Sequence, residues 1–305
     1  MDNQTANPEE FYILAFSYHG EIQPYLFVLF LAIYLCGLIG NLAIITVISL
    51  IPNLHTPMYF FLCNLSLVDL FYTTTILPKL MHILITGDNK ISFLHCFTQM
   101  YFYTFMASTE IMLLSLMAYD RYVAICYPLH YQLIMNWKKC IRLAIGNWIL
   151  ECCNSSFFAV FASTFSFCQT KEIHHFCCDT KALGKIACSN KSFQIMIFIE
   201  TLLFGPFPLL LSLSSYIKIV SSILQIKSIQ SRRKAFSTCG SHLTVLLMFY
   251  MSVLCTYMRP TLEHSETLDQ IFSVLYTAVT PMLNPIIYSF RNKEVKEALK
   301  KVVRL

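Results

Sequence analysis

Four carboxylic acids lie inside long apolar stretches of the chain, and they are the residues best placed to do chemistry. They are Asp69, Glu110, Glu151 and Glu200. A charge inside an apolar helix is costly, so such a residue usually serves a function. Asp69 and Glu110 lie mid-way along neighbouring apolar stretches, and two facing carboxylates either bind a cation or hold a proton between them.

Asn41 and Asn284 lie near the middle of two further apolar stretches and would add amide oxygens to this group. Oxygen ligands suit hard cations. Asp69 and Glu110 are therefore a possible sodium site, and sodium is the one cofactor that the sequence suggests. The alternative is a protonated, hydrogen-bonded pair of acids that only packs helices together.

A second group of candidate ligands is formed by His174, His175, Cys177 and Cys178. Imidazoles and thiolates bind soft metals, but a cysteine oxidised to a disulfide cannot be a ligand. A disulfide in a polar loop is the favoured interpretation. No histidine lies at the middle of an apolar stretch where it could pair with a serine, a cysteine or a second ligand, so the sequence predicts no enzyme.

The elements that position these residues are membrane helices. The chain has 305 residues, of which 56% are hydrophobic and 13% charged, whereas a soluble domain has about 25% charged residues. Since about 20 apolar residues cross a bilayer, the sequence predicts an all-α membrane protein, a seven-transmembrane helix bundle. The predicted spans are 24–50, 58–80, 96–126, 140–165, 193–224, 236–258 and 268–290. Paired broken helices in inverted halves, typical of a transporter, are not apparent.

Charge placement predicts the orientation, because basic residues favour the cytoplasmic side. Most of the 22 lysines and arginines lie at one end of these spans, and the N-terminal segment has four acidic residues and no basic ones. We therefore expect an extracellular segment at 1–23, a membrane domain at 24–290 and a cytoplasmic tail at 291–305. In that tail, Val295 and Leu299 among basic residues predict a short amphipathic helix on the inner leaflet.

Five of the thirteen cysteines lie at the predicted extracellular end: Cys96, Cys168, Cys177, Cys178 and Cys188. Five cysteines there allow two disulfides and one thiol, and the sequence does not choose their pairing. Of the four glycosylation sequons, the one at Asn3 is favoured because it lies outside the membrane in the N-terminal segment. Asn190 is a second possibility close to the membrane.

Two short motifs lie in the third and seventh spans. Asp120, Arg121 and Tyr122 stand at the cytoplasmic end of the third span, where alone they would indicate no more than an interfacial anchor. Asn284 and Pro285, with Tyr288 one turn later, place a proline late in the seventh span, where it frees a carbonyl and makes a hinge. The combination is far more specific than either motif.

With these motifs in place, the chain resembles the olfactory (odorant) receptors, a family of rhodopsin-like G-protein-coupled receptors, and within it the tetrapod type. The matching segments lie in the same order as in the family, and the resemblance runs from about residue 11 to residue 299. They are LHTPMYFFLCNLSLVDL at 54–70, MAYDRYVAICYPLHY at 117–131, SSY at 214–216, HHFCCD at 174–179, KAFSTCGSHL at 234–243 and PMLNPIIYSFRN at 281–292.

The resemblance implies specific roles. It pairs Cys96 with Cys178 and Cys168 with Cys188, and it makes Asp69 and Glu110 the sodium-binding pair. It makes Arg121 the G-protein switch, restrained at rest by Asp120. The implied coupling and activation residues are Asp120, Arg121, Tyr122, Tyr216, His242, Tyr250, Asn284, Pro285 and Tyr288.

The resemblance also implies a function, which is binding of a small volatile odorant inside the bundle and activation of a stimulatory, olfactory-type G protein that raises cAMP. It implies a multi-pass plasma-membrane protein with partners in membrane lipid and the G protein but not in nucleic acid. Helical spacing then predicts a ligand site between the third, fifth, sixth and seventh spans, although each residue could instead serve ordinary packing. Its expected lining is Tyr103, Thr104, Ala107, Ser108, Ile111, Glu200, Phe204, Val253, Leu254, Tyr257, Val274 and Thr277.

Two alternatives stay open at this point. An ionised Glu200 would select an amine, whereas a protonated Glu200 would donate to a ketone or ester, and the neutral odorant is slightly favoured. A rhodopsin-like receptor used outside olfaction would carry the same motifs. The chain departs from the family's usual residues at Met251, beside Tyr250, and at Cys177, where the family has phenylalanine.

Overall fold

Seven long helices form the protein in a computed structural model of the chain. The structure describes residues 8–16, 22–168, 170–188, 190–257, 266–291 and 293–303. We number the helices by their order as spans. Their bounds are Gln23–Leu50, Pro57–Thr86, Phe93–Cys126, Trp137–Ser163, Asn190–Phe204 with Pro206–Leu224, Ile229–Tyr257, and Glu266–Val274 with Leu275–Val279 and Thr280–Arg291.

These helices meet the requirements of a membrane bundle. Six helical segments among the described residues are long and apolar enough to cross a bilayer, and helix 6 contains a shorter apolar segment at Cys239–Cys255. Large apolar side chains such as Ile39 and Ile217 point outwards, with 67% and 70% of their surfaces exposed. The predicted all-α seven-helix fold is confirmed, and the chain is a multi-pass membrane protein.

Helices 5 and 7 are less regular than their sequences predict. Helix 5 is interrupted at Gly205, because Pro206 has no N–H to continue the hydrogen-bonding ladder. Helix 7 contains a π-helical turn at Leu275–Val279, where the Thr280 hydroxyl donates to the carbonyl of Leu275 at 2.9 Å. Such turns widen a helix locally and rotate the residues beyond them.

The end of the bundle that carries Arg121, which we call the basic end, has a short helix after helix 7. This helix 8, Lys293–Val303, buries Val295 and Ala298 while Lys296 and Lys300 stay exposed, so the predicted amphipathic helix is confirmed. The Tyr59 hydroxyl at the start of helix 2 donates to the Glu294 carboxylate at 2.7 Å. This bond gives the tyrosine of the LHTPMYFF segment a structural role.

The opposite end, which we call the disulfide end, carries a small sheet that the sequence did not predict. Strand β1, Glu10–Ile13, pairs antiparallel with β2, Lys90–Ser92, and parallel with β3, Glu172–Ile173. The sheet joins the N-terminal segment to the loops after helices 2 and 4. Its strands are only two to four residues long, too short for an alternating pattern to stand out in a sequence.

Two disulfides fix the long loop between helices 4 and 5. Cys96 at the top of helix 3 is bonded to Cys178, and Cys168 to Cys188, as the family resemblance implied. Cys177 keeps a free, fully buried thiol. Asn3, the predicted glycosylation site, lies outside the described residues.

Helix 3 is the centre of the bundle and packs against helices 2, 4, 5 and 6. Helices 1 and 7 approach closely at Gly40, where a Cβ would lie 2.7 Å from the Pro285 ring. A glycine at this position lets Pro285 sit against helix 1. Helix 4 is tied to helix 2 by the indole of Trp148, which donates to the Asn64 side chain at 3.1 Å.

Candidate functional site

An ion pair closes the basic end of helix 3. The Arg121 guanidinium donates through Nε to Oδ2 of Asp120 at 3.0 Å, and Nη2 bonds to the same oxygen. The other oxygen, Oδ1, accepts a bond of 2.7 Å from the Tyr131 hydroxyl. Asp120 is fully buried and the Arg121 side chain is 14% exposed. Both carboxylate oxygens are therefore satisfied, which holds the arginine against its own helix.

Tyr131 belongs to a short helix, Tyr131–Ile134, in the loop between helices 3 and 4. Burial and the adjacent Asp120 carboxylate raise the pKa of Tyr131 above its ordinary value. The hydroxyl therefore stays protonated and remains a donor. Tyr122 lies apart from this group, because its ring faces the Lys218 ammonium of helix 5 at 5.3 Å.

Tyrosines and a histidine join helices 5, 6 and 7 just above this ion pair. The Tyr216 hydroxyl bonds to Nδ1 of His242 at 2.7 Å, and their rings are stacked with centroids 5.8 Å apart. Tyr288 on helix 7 is buried, and its hydroxyl has no hydrogen-bond partner among the described residues. It lies within electrostatic range of both Arg121 and Asp69, so it stands between the ion pair and the polar centre.

The polar centre of the bundle is formed by the acids and amides predicted at mid-depth. Asn284 donates to Oδ2 of Asp69 at 2.9 Å, and Glu110 lies close to both. Asn41 donates to the carbonyls of Gly37 and Pro281, each at 3.0 Å. The structure thus brings Asp69, Glu110 and Asn284 together, whereas Asn41 bonds to backbone carbonyls of helices 1 and 7.

Several buried oxygens in this centre lack a donor among the described residues. They are Oδ1 of Asp69, both oxygens of Glu110, and Oδ1 of Asn284 and of Asn41. Buried polar atoms without partners are rare in proteins. Acceptor oxygens of this kind are the ligands that a hard cation such as sodium takes.

A network of serines lies beneath the ligand site, and sequence reasoning missed it. The Ser115 hydroxyl on helix 3 donates to the Pro208 carbonyl at 3.0 Å and lies 3.1 Å from the Ser212 hydroxyl of helix 5. The hydroxyl of Tyr250 on helix 6 lies next to both serines. Serines are common in apolar helices, so the presence of Ser115 and Ser212 in the sequence did not predict this network.

The expected ligand site lies in the half of the bundle nearer the disulfide end. Tyr103, Ser108 and Ile111 of helix 3 are almost fully buried, and Thr104 and Ala107 are half-buried. The Tyr103 hydroxyl bonds to that of Tyr276. The helix 3 residues of the expected site are thus all buried or half-buried.

The other helices contribute unequally to this site. Glu200, Val253, Leu254 and Val274 are half-buried, and Thr277 is fully buried with its hydroxyl on the carbonyl of Ser273 at 2.7 Å. The side chains of Phe204 and Tyr257 lie outside the described part of the chain. Tyr276 was not predicted as part of the site, because the π-helical turn that places it was not predicted.

The long loop between helices 4 and 5 covers the expected ligand site, and we call it the loop lid. His175 is buried with Nε2 3.1 Å from the Ser273 hydroxyl, and the Cys178 amide donates to the Gln99 side chain at 3.0 Å. Gln270 of helix 7 accepts from the amide of Phe16, so the N-terminal segment is held there too. A small molecule reaching the helices must pass beneath or beside this lid.

Comparison with known proteins agrees with this architecture. The sequence model of the olfactory receptor family matches residues 30–304. The chain is 45% identical to the dog olfactory receptor-like protein OLF4 over 98% of this chain and 97% of that protein. It is 45% identical to human olfactory receptor 8H1 over 98% and 96% of the two chains, and 44% identical to the rat olfactory receptor-like protein I9 over 99% and 96%.

The chain belongs to the olfactory receptor family. It is therefore a G-protein-coupled receptor of the odorant-sensing family and not an enzyme. In this receptor, the long loop covers the disulfide end of the bundle, and the Asp120–Arg121 ion pair closes the basic end of helix 3.

The two departures from the family pattern have different surroundings in the receptor. Met251, beside Tyr250 in the sequence, points outwards and is 58% exposed. Cys177 is fully buried, with its sulfur 3.4 Å from Nδ1 of His175. Burial raises the pKa of the Cys177 thiol, so it stays protonated and unreactive at neutral pH.

The structure gives no support to the alternative metal site in this loop. Among the described residues, no three His, Cys, Asp or Glu side chains are placed to hold a metal ion together. Cys178 is oxidised in its disulfide, as the favoured interpretation required.

Proposed function

We propose that this receptor lies in the plasma membrane with its N-terminus outside, binds small volatile molecules within the bundle, and activates a stimulatory, olfactory-type G protein that raises cAMP. The disulfide end faces the oxidising exterior, where such bonds persist. The basic end, with Arg232 and Arg233 near the start of helix 6, faces the cytoplasm. Asn3 carries the N-linked glycan.

The ligand site suits a small molecule of low water solubility. Its walls combine apolar side chains such as Ile111 and Val253 with a few polar groups such as Ser108. Sites of this composition bind apolar ligands and orient them through their few polar atoms. The loop lid shields that ligand from water.

The observation that carries the proposal is the closed Asp120–Arg121 pair at the basic end. A ligand must shift the bundle towards a second arrangement by contacting it more favourably. In that arrangement Arg121 leaves Asp120 and becomes available to the G protein. Tyr216 and Tyr288, which lie just above, are placed to move into the vacated space and hold the open state.

We also propose that the polar centre binds sodium in the resting receptor. Asp69 and Glu110 would provide the charged oxygens, with Asn284 and Asn41 beside them. The bound cation would compensate the buried negative charge between helices 2 and 3. Asn284 ties helix 7 to helix 2 through its hydrogen bond to Asp69, and Asn41 ties helix 1 to helix 7 through its hydrogen bond to the Pro281 carbonyl.

The experiment is a cAMP assay in cells that express the olfactory G protein, screened with a chemically broad odorant panel. The wild-type receptor is compared with Arg121→Ala and with Arg142→Ala at matched surface staining. Arg142 lies exposed near the same end and serves as the control for loss of a positive charge.

We expect an odorant response that is lost in Arg121→Ala and kept in Arg142→Ala. An odorant that raises cAMP equally in all three would contradict the role of Arg121. A receptor that signals through another G protein, with no rise in cAMP, would contradict the proposed coupling.

A further inference from the structure

Helix 4 places a second carboxyl group beside the ligand site. Glu151 is fully buried, and neither of its oxygens has a hydrogen-bond partner among the described residues. It lies on the buried face of helix 4, one turn above Asn147 and one turn below Ser155. Asn147 donates to the Thr109 carbonyl at 3.3 Å, which fixes this face of helix 4 against helix 3.

Glu200 is the membrane carboxyl of helix 5. It shares one face of that helix with Phe193 and Met196, which are both buried. Glu151 lies within electrostatic range of Glu200, and so does Asp179 at the start of the loop helix Thr180–Ile186.

Ser108 of helix 3 lies next to Glu151. Its hydroxyl donates to the carbonyl of Thr104 at 2.8 Å, and its lone pairs remain available as acceptors. Three groups from helices 3, 4 and 5 therefore present acceptor oxygens to one region. A carboxylate without a partner in an apolar setting is strongly unfavourable, whereas a cation placed there relieves that cost.

We propose that Glu151, Glu200 and Ser108 bind the ammonium group of a small organic amine, so that this receptor detects protonated amines. This inference rests on the proposed function and names its ligand class. An ammonium offers three N–H donors to the three acceptor groups. Its carbon skeleton lies against the apolar residues Ala107 and Val253.

Glu151 decides between amines and neutral ketones or esters, the two ligand classes that Glu200 alone left open. A neutral ketone or ester takes one hydrogen bond from a protonated acid and does nothing for a second acid nearby. A cation interacts favourably with both, since each attraction acts through a medium of low dielectric constant. A metal ion is less suitable, because no group of three or more metal-binding side chains converges in the described part of the chain.

The test compares amines with alcohols of the same carbon skeleton. Hexylamine, cyclohexylamine and benzylamine are matched with 1-hexanol, cyclohexanol and benzyl alcohol. Two readouts are used: cAMP in cells, and the thermal unfolding temperature of the purified full-length receptor. The variants are Glu151→Gln, Glu200→Gln and Glu151→Asp, with Glu172→Gln as the control for an exposed carboxylate on β3.

We expect at least one amine to stabilise and activate the wild type, and its alcohol to do so at least tenfold more weakly. Each glutamine variant should lose at least tenfold in amine potency, whereas Glu172→Gln should match the wild type, and added EDTA should change nothing. Glu151→Asp keeps the charge and should retain part of the response, which separates loss of charge from a failure to fold.

The inference would be overturned if alcohols were as potent as amines or if Glu151→Gln kept the full amine response. It would also be overturned if EDTA abolished the response, which would indicate a metal. Neutral odorants that raise cAMP while no amine binds would overturn the amine site and leave the proposed function intact. Amines that stabilise the purified receptor without raising cAMP would support the site and contradict the proposed coupling.

Discussion

The hydroxyl of Tyr131 donates to Oδ1 of Asp120 at 2.7 Å, on the side of the carboxylate opposite Arg121. The aspartate is therefore held from two directions, by its neighbour in helix 3 and by the loop that follows. The loop between helices 3 and 4 is thus part of the device that restrains Arg121.

Replacing Tyr131 with phenylalanine should raise ligand-independent cAMP. A hydrogen bond to a charged group is worth about 1.5–3 kcal/mol, so its loss would shift the ratio of open to closed receptors by roughly tenfold or more. The matched control is Tyr127→Phe, because Tyr127 is half exposed and makes a longer 3.3 Å bond with Tyr122. Unchanged basal cAMP in Tyr131→Phe at equal surface density would show that the bond does not restrain Arg121.

Sodium should lower the potency of any agonist of this receptor, since it stabilises the closed bundle. Replacing sodium chloride with choline chloride should therefore increase potency in the wild type. The variant Glu110→Gln, which loses one of the two charges at the polar centre, should show no such change. If sodium changed agonist potency equally in the wild type and in Glu110→Gln, the ion would act at a site other than the polar centre.

Breaking the Cys168–Cys188 disulfide should destabilise the receptor. The bond closes a loop with a sequence separation of 20 residues, for which chain entropy gives a loss of about 3 kcal/mol. The variant Cys168→Ser/Cys188→Ser should have a lower unfolding temperature and less surface expression. Cys177→Ala, which removes a thiol outside either disulfide, should be affected much less, and equal losses in both would contradict this assignment.

Docking of the long loop should weaken in mild acid. Burial lowers the pKa of His175 below its ordinary value of 6.5. Between the lowered pKa of His175 in the docked loop and its ordinary pKa, the undocked loop binds more protons than the docked loop. The docked form therefore loses stability as the pH falls below about 6.5. The unfolding temperature should therefore decline more steeply from pH 7 to pH 5 in the wild type than in His175→Gln. If the unfolding temperature fell equally with pH in the wild type and in His175→Gln, His175 would not take up a proton when the loop undocks.

The sequence predicted the helices and the mid-depth polar residues because both depend on local information. A run of apolar residues is sufficient to predict a span, and an acid or amide at its centre must face the bundle interior. The contact between Asn284 and Asp69 followed from their similar depth. The disulfide partners came from the family resemblance and not from the residues themselves.

Other features of the structure depend on loop paths and helix rotations, which residue spacing in the sequence does not reveal. The bond between Tyr131 and Asp120 requires the path of an irregular loop, and the place of Tyr276 requires the π-helical turn in helix 7. The approach of Glu151 to Glu200 depends on the rotation of helices 4 and 5 about their axes. Strand β1 is four residues long, which is too short to distinguish from a tail.

The central claim is that Asp120 holds Arg121 away from a stimulatory G protein, and it can be tested without knowing a ligand. The measurement is basal cAMP at matched surface density for the wild type, Asp120→Asn and Asp120→Asn/Arg121→Ala. We predict raised basal cAMP in Asp120→Asn and a return to the cAMP level of untransfected cells in the double variant. A basal level in Asp120→Asn equal to that of the wild type, or a raised level that persists without Arg121, would contradict it.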